Sequence, residues 1–101
     1  MQWFMIFASD VPDSGERRAA HRTAHRERIE ALESEGRLLT AGPLPIDPSR
    51  PESGLSGSLI VAAFETPEAA RSWADADPFR AAGVYDSVDV RPYKPVFGQT
   101  S

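Results

Sequence analysis

Two short runs of the chain are apolar on consecutive residues, 2–9 (QWFMIFAS) and 58–64 (SLIVAAF), and they restrict its folding options more than anything else in it. Runs of this length, bounded by polar and turn-forming residues, read as strands hidden on both faces. A chain of 101 residues makes one domain with one modest core. Both strands therefore belong to the same small sheet, and each face of that sheet needs cover.

The stretches between them supply the remaining elements. Residues 10–15 (DVPDSG) form a loop in which Asp13 or Ser14 is available to cap a helix. The helix covers 19–36 (AAHRTAHRERIEALESEG), and Gly36 suits the left-handed residue that ends it. Residues 37–43 (RLLTAGP) read as a second strand, and 44–57, with Pro45, Pro48 and Pro51, as a surface loop. Thr66-Pro67-Glu68 starts a second helix with a cap, a proline and an acid in the first turn. Ala69, Ala70, Trp73 and Ala74 keep helical spacing, and residues 77–83 (DPFRAAG) repeat the cap, proline and glycine-stop logic for one short turn. The alternation in 85–93 (YDSVDVRPY) gives a half-exposed fourth strand. Residues 94–97 extend the single domain 1–97, and 98–101 make a frayed tail.

The order is βαββαβ, the ferredoxin-like α+β arrangement of a four-stranded antiparallel sheet with two helices on one face. Two helices cover one side only, so the consecutive apolar residues of strands one and three predict a homodimer packed sheet against sheet.

The first helix carries the chain's two histidines. At about 100° per residue, with His21 at zero, Leu32 falls near 20°, His25 near 40° and Ile29 near 80°. Ala20, Ala24 and Ala31 flank them at roughly 260° to 300°, while Arg22, Thr23, Arg26, Glu30 and Glu33 form the solvent face. His25 thus points toward whatever the helix covers, where a titratable ring needs a hydrogen-bonding partner or a pocket. The basic run Arg17, Arg18, Arg22, Arg26 and Arg28 is interleaved with alanines and followed by acids, so it reads as a solvated face.

Charge and composition close off several functions. A net charge of -4 argues against general nucleic-acid binding. The absence of cysteine removes disulfides, thiolate metal sites and a cysteine nucleophile. The opening MQWFMIFA has no basic leader and is too short to span a bilayer, so no membrane role is expected and a cytoplasmic location is the default. No glycine loop cradles phosphate, and no cofactor is expected.

Four stretches together resemble the YciI-like family of the dimeric α+β barrel group. These are AHRERI in the first helix, GRLLTAGP at 36–43, Gly57-Ser58, and ADADPF at 74–79 followed by Ala82-Gly83-Val84. The resemblance spans nearly the whole chain. It implies a ferredoxin-like protomer, a sheet-to-sheet dimer and a pocket with a histidine–aspartate pair that match His25 and Asp77 here. It also implies kinship with muconolactone isomerase-like proteins and with a dehydrochlorinase of a chlorinated hydroxyhydroquinone, hence proton-transfer chemistry on small ring molecules.

The residues themselves fit that chemistry. An imidazole, titrating near pH 6.5 in model peptides, takes and returns protons around neutrality. A carboxylate on one ring nitrogen fixes the tautomer and stabilises the imidazolium. Without a nucleophile motif, proton abstraction, isomerisation, elimination or hydrolysis is favoured over a covalent intermediate. The plainer reading of Asp77 is an N-cap before Pro78, worth about 1 kcal/mol; the two roles are compatible. His21, one turn before His25, reads as a pocket-rim or surface residue, and a metal on the pair would need Asp75, Asp77 or a partner chain as third ligand, so none is expected. Gly42 and Pro43 are expected to shape the pocket wall, Ser58 to offer a hydrogen bond, and Phe79 to line the site. The two functional expectations are a small cofactor-independent acid–base enzyme and a non-catalytic small-molecule-binding or accessory module of the same fold.

Overall fold

The computed structural model describes residues 1–98; the end of the tail expected at 98–101 lies outside the described residues. The elements are β1 (Gln2–Asp10), α1 (Gly15–Ser34), β2 (Leu38–Pro45), β3 (Leu55–Phe64), α2 (Pro67–Asp75), α3 (Pro78–Ala81) and β4 (Tyr85–Pro92). They form one antiparallel sheet in the order β2-β3-β1-β4, the ferredoxin-like arrangement. Among the described residues no helix is long and apolar enough to cross a membrane.

The core lies between the helices and one sheet face. Phe4 pairs with Ala62 and Ile6 with Ile60 across β1 and β3, and all four are buried beneath Leu32, Ala70, Ala74 and Phe79. Ala70 and Ala74 let α2 approach closely, while Trp73 stays half-buried, with its ring centre 5.8 Å from that of Phe64. Thr66 caps α2 by accepting from the Ala69 amide at 3.0 Å.

Burial on both faces of β1 is not what the single chain shows. Phe4, Ile6 and Ala8 face the helices, but Phe7 on the opposite side is 42% exposed, and Trp3 and Met5 are half-buried. On β3, Val61 and Ala63 are nearly covered even on that second face, because small side chains at the centre of a sheet are shielded by neighbouring strands.

Three other expectations need correction. First, α1 begins at Gly15, four residues earlier than the periodicity suggests, and no side chain caps it; the Ser14 hydroxyl instead donates to Asp10 at 2.6 Å, and Asp13 takes a turn conformation with φ of 57°. Second, the inward stripe of α1 is narrow. Arg18, His25 and Leu32, spaced by seven, are its buried residues, whereas Ala20, Ala24 and Ala31 are exposed. Arg18 therefore leaves the solvated face on which composition put it, because an ion pair awaits it inside. Third, β2 and β3 run further than expected, to Pro45 and from Leu55. Edge strand β2 tolerates its prolines, and a register shift between Leu38 and Thr40 bulges it at Leu39.

Candidate active site

A cleft of about 660 Å³, within the usual range for small-molecule sites, opens between α1 and the β2–β3 side of the sheet. Its wall is apolar over Ile29, Leu38, Ala41, Pro43, Leu55 and Ile60, and polar where Arg18, His25 and Ser58 converge. Arg22, Arg26, Glu30 and Glu33 stand around it on α1.

His25 is 7% exposed and its ring lies on Phe79, with centroids 4.1 Å apart and planes 13° from parallel. Its Nδ1 sits 2.8 Å from Asp77 Oδ2 and 3.0 Å from Oδ1. An ionised carboxylate only accepts hydrogen bonds, so in the neutral ring the hydrogen belongs on Nδ1 and Nε2 keeps its lone pair. Nε2 has no partner among the described residues, and His25 lines the cleft.

Asp77 owes its place to the short element it begins. It caps α3 by accepting from the Phe79 amide at 2.9 Å, with Pro78 in the first turn. The same carboxylate, only 2% exposed, is thus cap and histidine partner at once. Arg28 reaches it at 4.0 Å through Nη1, donates from Nη2 to the Trp73 carbonyl at 2.8 Å, and lies 4.3 Å over the Trp73 ring. Burial lowers the Arg28 guanidinium from its ordinary range, with the Asp77 charge opposing.

Below the cleft lies a second buried ion pair. Arg18 Nε donates to Asp10 Oδ2 at 2.6 Å and Nη2 to Oδ1 at 3.0 Å, with both side chains almost fully covered. Nη2 also reaches the Gly57 carbonyl at 2.9 Å and Ser58 Oγ at 3.0 Å. Tyr85 completes the group. Burial pushes its phenol up to about 12, with the neighbouring Ser58 hydroxyl opposing. No hydrogen bond to the Tyr85 hydroxyl closes with good geometry, so this buried oxygen is unpaired among the described residues.

The structure brings His25, Asp77, Ser58 and Phe79 together, and Gly42 and Pro43 line the same cleft. No atom lies within 4 Å of where a Cβ at Gly42 would be, so close approach does not demand glycine there. His21 is the exception: it is exposed and does not line the cleft, because the inward stripe of α1 is too narrow to include it. Among the described residues no group of three or more His, Cys, Asp or Glu side chains is arranged around a common centre. Asp75 pairs instead with Arg71, at 3.2 Å. Sequence reasoning missed Arg18 and Asp10. The signal for Arg18 was present, since it stands seven residues before His25 and so shares its helix face.

A ferredoxin-like sheet with a buried imidazole–carboxylate contact beside a half-apolar cleft places the chain among the single-domain α+β proteins of this fold. The chain is a member of the YCII-related family, whose domain model matches residues 2–94. It is 52% identical over 96 residues to protein YciI of Escherichia coli O6:H1, covering 93% of this chain and 98% of that one. It is 48% identical over 97 residues to an uncharacterized protein of Haemophilus influenzae, covering 94% and 99%. Among solved structures it is similar to a 5-chloro-2-hydroxyhydroquinone dehydrochlorinase from Burkholderia phenoliruptrix in complex with 2,5-dihydroxybenzoquinone. That match has a TM-score of 0.79 and 26% identity, covering 91% of this chain and 93% of that one.

Proposed function

We propose that the chain is a cofactor-independent enzyme that moves protons on a small, apolar, cyclic or aromatic molecule held in the cleft. The observation that carries this is the Nδ1 contact of His25 with Asp77 beside a cleft where Nε2 has no partner among the described residues. Nε2 takes a proton from the bound molecule, or in hydrolysis from a water that attacks it, the Asp77 carboxylate stabilises the imidazolium, and the same proton is returned to another atom or a departing group. Elimination, isomerisation and hydrolysis all fit this cycle. Kinship with a dehydrochlorinase in complex with a dihydroxybenzoquinone supports ring substrates and makes chlorinated hydroxyhydroquinones the first to assay.

The second reading is a binding or accessory module in which Asp77 is only a cap, and the Phe79 amide contact favours it. Asp77→Asn separates the two, because asparagine caps as well as aspartate but cannot stabilise an imidazolium. On a substrate found in that panel, His25→Ala is expected to lower kcat at least 100-fold and Asp77→Asn at least 10-fold, with circular dichroism unchanged. Rates within three-fold of wild type for both variants favour the module.

The same reading includes a homodimer. Trp3, Met5 and Phe7 pair with Ala63, Val61 and Leu59 across the sheet face that no helix covers, which makes a continuous apolar strip. Light scattering at micromolar concentration is expected to give twice the chain mass, and Phe7→Asp to give the monomer. A monomeric wild type removes the dimer.

A further inference from the structure

Arg18 is 5% exposed, yet it lines the cleft. Its Nε and Nη2 are committed to Asp10, Gly57 and Ser58, while Nη1 has no partner among the described residues. Ser58 Oγ accepts from Arg18, so its own hydrogen can turn either to the neighbouring Tyr85 oxygen or to a ligand, and Ser58 lines the cleft as well. A buried guanidinium edge held rigid on one side and open on the other is built to receive an oxygen anion.

The remaining charges set how much negative charge fits. Arg18 faces Asp10, and the partly buried Arg28 stands 4.0 Å from the buried Asp77, so the inner charges cancel in pairs. Around the opening Arg22 and Arg26 are balanced by Glu30 and Glu33. A site this close to neutral has no surplus of cations for a phosphate dianion or a polyanion. Beyond Arg18, His25 and Ser58 the wall is hydrocarbon, which suits a ligand body without further charge.

We infer that the cleft selects small monoanions: a largely apolar body whose single anionic oxygen, carboxylate or phenolate, is bound by Arg18 Nη1 and Ser58 Oγ. This rests on the cleft being the ligand site, as proposed above, but not on His25 being catalytic. Arg18 and His25 stand two turns apart on one face of α1, so an anion at Arg18 presents the rest of the molecule to the imidazole. Arg18 is then the group that decides which compounds bind, whatever His25 does to them.

Calorimetry on the full chain tests this with two matched pairs: benzoate against benzamide for the carboxylate, and 4-nitrophenolate against nitrobenzene for the phenolate. At least one anion is expected to bind ten-fold or more tightly than its neutral partner, and the pair that shows the preference identifies the source of the oxygen. The Nε–H signal of Arg18 is expected to shift on titration with that anion. The preference should fall to about one-fold in the double variant Arg18→Met, Asp10→Asn, which leaves no unpaired buried charge, and persist in His25→Ala. Ser58→Ala, which keeps the Arg18–Asp10 pair intact, should lower it by several-fold and guards against a folding failure of the double variant. Equal binding of anion and neutral compound, or no binding of either anion at 20-fold millimolar excess, overturns the inference. So does a preference lost in His25→Ala and kept in the Arg18 variant. These outcomes leave the acid–base reading untouched, which stands or falls on the turnover of His25→Ala.

Discussion

Replacing Arg18 with methionine is expected to destabilise the protein by about 3–5 kcal/mol. The guanidinium provides two of the hydrogen bonds to Asp10, whose side chain is 1% exposed, and only the Ser14 hydroxyl remains once they are gone. A carboxylate left in that position has neither water nor counter-charge, and this uncompensated burial dominates the cost. Asp10→Asn in the same chain removes the stranded charge, so the double variant should recover at least half of the loss. Urea unfolding of wild type, the single and the double variant checks this as a cycle. A loss below 1 kcal/mol in Arg18→Met, or no recovery in the double variant, shows that the pair is not the support it is taken to be.

Gly57→Ala is expected to cost about 3 kcal/mol or more, although it adds a single methyl group. The new Cβ would fall on the backbone carbonyl of Ala8, and Leu44 crowds it from the other side. A strand carbonyl at the sheet centre cannot swing away as a side-chain tip can, so β1 and β3 must separate locally. Gly57 also presents its own carbonyl to Arg18 and precedes Ser58, which ties this packing constraint to the cleft. Gly42→Ala is the matched control, because nothing lies within 4 Å of its added methyl, and its effect should stay within about 1 kcal/mol. Thermal unfolding of the two variants side by side decides it; equal stability of both would contradict the steric account.

How far these features could be read before any coordinates depends on the range of the interaction behind them. The strand and helix order follows from local periodicity, and so does the inward aim of His25. Thr66 and Asp77 announced their caps because capping is a contact between near neighbours in sequence. Arg18 was misread for the opposite reason. Its partners Asp10, Gly57 and Ser58 come from two other elements, 8 to 40 residues away, and an arginine in a basic run carries no mark of a buried counter-ion. His21 was misplaced because periodicity gives an angle on the helix and not the width of the surface that meets it. The early start of α1 was hidden by Gly15, which the pattern treats as loop although the helix begins on it. The contact of His25 with Asp77 joins residues 52 apart, and only the family resemblance, not spacing, pointed to it.

The buried spacing of seven along α1 has a consequence for how such a protein can change what it handles. Arg18 and His25 ride on one rigid rod, their Cα atoms about 10 Å apart by helix geometry, and no hinge or loop intervenes. That interval is a fixed ruler. On the proposed reading, new ligand shapes have to be accommodated from the opposite bank, where Leu38, Ala41 and Leu55 can vary in size without disturbing the anchorage of either side chain.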